Sequence, residues 1–268
     1  MNAVVFDVAL TAYILAALAA VAALPGRRAG LLAAAAVLTR AGWVCHTVAL
    51  LLRWIELGRP PLLSLAEMIS VAIWAAVFFQ LWAERHYRTP VLAAFVLPVV
   101  LVLGLALPSG LRALVFEPPR GGGWVWVHVA LALIGLAALV LNFAGALMYL
   151  LQERQIKRRR PGVFFYALPP LESLDRLTLL ALIVGFPFFT AALILGVVGA
   201  PHAWGGLVAF DPLALLSIAT WAVYAVTLSG RAVGHWHGRR AAYFAIAGFG
   251  VLLLTLGAGA LAQGRHGS

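Results

Sequence analysis

Acidic side chains are almost missing from this sequence. Only 9 of 268 residues are Asp or Glu, and charged residues of all kinds make up 10%. A soluble domain carries about a quarter charged residues, so a water-facing globular fold is excluded. Cysteine is nearly absent as well. The single Cys45 excludes an internal disulfide, a CxxC redox pair and a CxxCH site for covalent haem attachment. There is no HExxH, no GxSxG and no glycine-rich phosphate loop, so nothing points to metalloprotease, serine-hydrolase or nucleotide chemistry. Intramembrane carboxylate pairs of the kind proton-coupled transporters use are missing too, and no internal repeat is visible.

What the chain has is apolar surface, with 64% of its residues hydrophobic. Lipid must be the solvent for so much of it. In hydrocarbon only helices and closed barrels satisfy their backbone polar groups. The apolar runs are long and do not alternate, which selects helices over barrel strands. The expected fold is all-α, a bundle of about eight transmembrane helices forming one polytopic membrane domain over residues 1–268. The spans fall near 3–24, 30–52, 65–83, 90–107, 124–151, 177–199, 212–230 and 241–262. The first run has no basic segment ahead of it and no clear small-residue cleavage site, so it reads as a retained span rather than a signal peptide.

Lys and Arg sort the connections into two sides. Thirteen of the 19 lie in the first, third, fifth and seventh connections, including the run Lys157, Arg158, Arg159 and Arg160. Five lie in the even connections and the C-terminal tail, and Arg40 lies within the second span. The positive-inside bias therefore places the odd connections in the cytoplasm and both termini outside. The net charge of +10 is explained by these loops, which face lipid headgroups, and does not call for nucleic acid. The partner it implies is the lipid bilayer.

Seven histidines are the most informative polar residues. His46 and His128 lie inside spans, on different helices, at similar expected depths near the outer face. Polar side chains at membrane depth are costly and usually face the bundle interior. Imidazole is also a common axial ligand of haem iron. Two readings stay open: a haem clasped between His46 and His128, or two histidines that each bond across a helix interface. Arg40 has a similar pair of readings, as a helix-interface arginine or as the counter-charge of an anionic group such as a haem propionate. Cys45 beside His46 reads as a small packing residue. Asp211-Pro212 has the composition of a helix start, with Asp as cap and Pro at the first position.

Several segments, taken in order, resemble a known family. They are Val44-Cys45-His46, Gly58-Arg59-Pro60-Pro61-Leu62 with Glu67, Trp124 to His128, and Pro169-Pro170-Leu171-Glu172-Ser173-Leu174-Asp175-Arg176. Then come Trp204-Gly205 to Asp211-Pro212, Trp221 to Tyr224, and His237-Gly238-Arg239-Arg240. The set is similar to the cytochrome c assembly membrane proteins, which include CcsA-type haem-handling proteins and a HemX-like (YpjD-type) branch. The resemblance covers nearly the whole chain from about residue 40. It implies an eight-span bundle of the bacterial cytoplasmic (inner) membrane that presents haem at the outer face and works with other cytochrome c assembly proteins. It also implies binding rather than turnover, with no catalytic nucleophile.

By that resemblance His128 matches one of two outer histidines of full members, and His266 stands where the second would be, with His46 as its competitor. Trp204, Phe210 and Asp211 would line the outer haem platform, with Arg59 and Glu67 in support. The chain departs from the family's WGxxWxWD segment, where Val208 and Phe210 replace two tryptophans, and Ser229 stands where full members carry a histidine. These departures resemble the HemX-like branch. They keep a second expectation open, a non-haem accessory or regulatory membrane protein. A small-molecule transporter is the third.

Overall fold

The computed structural model describes residues 2–26, 28–105, 123–158, 162, 165–204 and 212–264. Among these there are eight α-helices and no strand. They are α1 (Asn2–Ala23), α2 (Ala29–Leu57), α3 (Leu65–Tyr87), α4 (Ala93–Leu105), α5 (Gly123–Lys157), α6 (Leu171–Trp204), α7 (Pro212–Ala232) and α8 (Arg239–Gly264). Each coincides with one of the eight apolar runs of the sequence. Six are long and apolar enough to cross a membrane: α1, α2, α3, α5, α6 and α8. The 13 residues of α4 reach about 20 Å at 1.5 Å per residue. Its internal Pro98 is of the kind membrane helices tolerate.

The helix ends differ from the hydropathy boundaries for physical reasons. α2 continues through Arg53 and Glu56 to Leu57, because polar residues at the interface do not break a helix. It stops at Gly58, whose φ of 63° gives the left-handed cap. α3 starts on a capping box in which the Ser64 side chain accepts from Glu67 N and the Glu67 side chain accepts from Ser64 N. α6 begins at Leu171, directly after Pro169-Pro170, so Glu172 to Arg176 form its first turns rather than a loop. Proline cannot continue a helix from its N-terminal side but is well placed just before or at its start.

The chain folds back on itself helix by helix. Along α5 and α6, His128 meets Ala192, Gly135 meets Phe189, and Asn142 meets Thr178. The order reverses, so the two helices are antiparallel. The same reversal holds for α2 with α3, where His46 meets Ser70 and Arg53 meets Glu67. It holds for α7 with α8, where Thr220 meets Thr255 and Tyr224 meets Gly248.

α5 packs against α3, α4, α6 and α8 and is the centre of the bundle. Leu139, Ala144, Ala146 and Met148 on it are fully buried. Its closest partner is α6. A Cβ at Gly135 would sit 3.0 Å from Phe189 N, one at Gly145 2.8 Å from Thr178 Cγ2, and one at Gly185 3.0 Å from Ala138 Cβ. Lipid tails are as apolar as leucine, so helices in a bilayer associate through such close packing and through polar contacts. Polar contacts lie within the seam as well: midway along it Asn142 Nδ2 donates to Thr178 O at 2.7 Å.

Gly145→Leu forces a side chain into that seam and is expected to destabilise the bundle by about 1–3 kcal/mol. Gly250, where a Cβ meets nothing within 4 Å, is the control. Thermal unfolding in mild detergent should show a lowered midpoint for Gly145→Leu and little change for Gly250→Leu.

Candidate functional site

His128 lies five positions into α5, on the turn after Trp124. The spacing of four puts both rings on one face of the helix. They meet edge to face, with centroids 6.3 Å apart. That face rests on a stretch of α6 without bulky side chains: Ala192, Gly196 and Gly199. A Cβ at Gly196 would lie 2.9 Å from His128 Cε1, and one at Gly199 would overlap the Trp124 indole. The bare backbone lets His128 Nδ1 come within 2.7 Å of Ala192 O. A carbonyl oxygen only accepts, so Nδ1 is the donor. In the neutral imidazole the lone pair is then on Nε2, and no described residue bonds to Nε2. A metal-ligating histidine usually has this arrangement, one nitrogen oriented by a carbonyl and the other left for the metal.

His46 is placed differently. It is 1% exposed and sits in the seam of α2 with α1 and α3. Nε2 is 2.8 Å from Ser70 Oγ and Nδ1 is 3.4 Å from Tyr13 Oη, while Phe6 packs edge-on at 5.3 Å. Both ring nitrogens are therefore engaged by protein. The structure does not bring His46 and His128 together: one faces α1 and α3, the other faces α6. His46 lies deeper than the hydropathy limits imply. Because α2 runs to Leu57, His46 is eleven residues, about 16 Å, from the end of its helix, not six.

Arg40 is exposed on α2 and interacts electrostatically with Glu84 on α3. It lies toward the end of α2 opposite His46 and Arg53. Trp204 is the last residue of α6, with its side chain outside the described residues. Phe210, Asp211 and His266 also lie outside them.

At the α2–α3 corner, Glu67 is 7% exposed and gathers four donors. Arg53 Nη2 donates to Oε1 at 3.2 Å, and Arg59 Nη1 to Oε2 at 3.1 Å. Leu63 N and Ser64 N donate to Oε2 at 3.1 and 3.2 Å. The carboxylate thus ties the last turn of α2, the connection and the first turn of α3 together.

A second polar knot closes the opposite end of the bundle. Asp175, in the first turns of α6, accepts from the side chain of Arg231 at 2.8 Å and from Gly238 N at 3.0 Å. The Arg231 side chain is 3% exposed. Gly238 has φ of +64°, a conformation that suits glycine. A cavity of about 290 Å³ opens here, lined by Tyr149, Leu171, Glu172, Asp175, His237 and Gly238. Among the described residues no group of three or more His, Cys, Asp or Glu is arranged to hold a metal ion.

Comparison with known proteins adds the family. The cytochrome c assembly protein family matches residues 62–266. The cytochrome c biogenesis protein CcsA of Guillardia theta is 31% identical over 245 residues, covering 83% of this chain and 81% of its own. CcsA of Synechococcus sp. (strain RCC307) is 30% identical over 247 residues, covering 82% and 79%. The chain belongs to the cytochrome c assembly protein family. It is a multi-pass membrane member, with α3 to α8 inside the matched region and α1 and α2 ahead of it. The family resemblance read from the ordered segments is thus correct.

Sequence reasoning singled out His128 but missed its partners. Gly196 and Gly199 carry no chemistry of their own, and a backbone carbonyl has no signature in sequence. The signal that was present is the spacing, with Trp124 and His128 four apart and Gly196 and Gly199 three apart.

Glu67→Ala strands two arginines and two backbone donors and should destabilise the protein by about 1–3 kcal/mol. Glu67→Gln, which keeps an acceptor, should recover part of the loss. The check is the thermal midpoint of each variant in the same detergent.

Proposed function

We propose that this protein handles haem for c-type cytochrome assembly in the bacterial cytoplasmic membrane, with His128 as an axial ligand of the iron near the outer face. The observation that carries the reading is the state of His128: Nδ1 held by Ala192 O at 2.7 Å, with the Nε2 lone pair left over. The donor set suits haem iron, for which a histidine nitrogen is a common axial ligand. Trp124 beside it supplies a flat apolar ring for a planar macrocycle. Bound haem would supply a redox-active iron; the chain's own part would be to hold it through the His128 imidazole, oriented and shielded by α6. The relatives' role in cytochrome c biogenesis, given by their names, supports the same reading, as does family membership.

His46 fits the role less well, since Ser70 and Tyr13 occupy both its nitrogens. Its reading is a polar tie between α1, α2 and α3. His266 is the remaining candidate for the second axial position, and Trp204, Phe210 and Asp211 for the platform. Arg40, toward the other end of α2, reads as a partner of Glu84 rather than of a propionate. The topology we propose has eight crossings with both termini outside. The Lys157–Arg158 end of α5 and the α7–α8 turn then face the cytoplasm, and the α2–α3 corner faces out.

Visible spectra of the purified protein test the site. Wild type, with haem added, should show a Soret band and reduced α and β bands. His128→Ala should lose them, whereas His46→Ala should unfold at lower temperature but keep the spectrum of its folded fraction. A wild type that stays colourless in the presence of haem overturns the reading. The topology is checked in a Cys45→Ala background with a membrane-impermeant maleimide: Ile55→Cys should label from outside in intact cells, and Arg158→Cys only in inverted vesicles.

A further inference from the structure

A helix carbonyl already accepts from the amide four residues on, and the side chain at that position normally covers it. Ala192 O is the acceptor for His128 Nδ1, and the residue four positions on is Gly196. With no side chain there, the carbonyl is uncovered and the imidazole lies against the α6 backbone, so close that a single Cβ at Gly196 would fall 2.9 Å from Cε1 and 3.3 Å from Nδ1. Gly199 does the same for Trp124, one helical turn farther along. The seam is dry around the acceptor: Ala192 is 2% exposed. Elsewhere in the α5–α6 seam, Gly135, Gly145 and Gly185 let the helices approach without touching a histidine.

We propose that Gly196 and Gly199 are positioning residues of the haem site, and that the α6 backbone is the orienting partner of the axial histidine. The inference rests on the reading of His128 as a ligand. Gly196 exposes Ala192 O, the carbonyl fixes the Nδ1–H tautomer and the ring plane, and Nε2 is presented as the ligand nitrogen. A hydrogen bond on Nδ1–H makes the imidazole a stronger electron donor, which favours ferric over ferrous iron. Gly199 seats Trp124, whose edge-to-face contact at 6.3 Å limits rotation of the ring. The α5–α6 seam therefore does two jobs along its length: it packs the helices around Gly135 to Gly145 and it tunes a ligand at the His128 end.

The test compares wild type, Gly196→Ala, Gly199→Ala and Gly185→Ala by haem titration, redox titration of the haem band and thermal unfolding. Gly185→Ala adds a methyl group to the same seam away from His128 and reports packing alone. Gly196→Ala is expected to weaken haem binding about 10- to 100-fold, the usual cost of removing the group that orients a metal-bound histidine, and to raise the midpoint potential. Gly185→Ala should lower the unfolding temperature and leave affinity and potential as in wild type. Replacing His128 by Nδ1-methylhistidine keeps Nε2 and the α6 sequence, puts a methyl group in place of the Nδ1–H so that the bond to Ala192 O is lost, and should raise the potential as Gly196→Ala does; it serves where Gly196→Ala does not fold. If wild type binds haem and both Gly196→Ala and the methylhistidine protein match it in affinity and potential, the positioning role is overturned while the ligand reading stands. If wild type binds no haem, both fall.

Discussion

Contact between α5 and α6 at backbone distance is the constraint on which the rest of the molecule depends. In lipid no hydrophobic force pushes helices together, so association must come from surface fit and polar bonds. Glycine at positions 135, 145 and 185 gives the fit, and Asn142 with Thr178 gives a bond. With α6 held so closely, α5 can present its other faces to α3, α4 and α8. The same closeness makes a main-chain carbonyl available to His128. Stability and the candidate site are thus products of one seam.

Several polar groups elsewhere sit where a neighbouring helix answers them. His46 finds Ser70 and Tyr13, Trp74 Nε1 donates to Thr47, Trp221 Nε1 donates to Thr190, and Asp175 holds Arg231. Unanswered polar atoms in hydrocarbon are costly, and these pairs fix rotation and depth more sharply than apolar contacts do. The two knots, at Glu67 and at Asp175, lie at opposite ends of the bundle. Each joins a helix start to the end of a preceding or following helix, so both ends are tied through charge-assisted bonds.

Helix number and approximate limits were legible from hydropathy because every apolar run in this chain becomes a helix. The ends were less so. Hydropathy stopped α2 at residue 52, whereas the helix runs on through Arg53 and Glu56 until Gly58 caps it. It likewise put the first turns of α6 in a loop, since Glu172, Asp175 and Arg176 are charged. His128 could be named from sequence because an imidazole in an apolar run is conspicuous. The meaning of His46 could not, because Ser70 and Tyr13 are remote in sequence and ordinary in type. The supporting role of Gly196 was hidden for a simpler reason, that its contribution is the absence of a side chain. Family membership was visible only through several short segments in order, none of them decisive alone.

The α2–α3 corner has a consequence for how the protein is made. Until α3 is made, His46 has only Tyr13 of α1 to bond it, and Arg53 lacks its carboxylate partner. Their partners, Ser70 and Glu67, arrive only with the next segment. The two helices are therefore most economically released as a hairpin, α2 waiting until α3 has been synthesised. The bonds that hold the corner rigid thus favour insertion of α2 and α3 as a pair, with the buried carboxylate of Glu67 as the group that joins them.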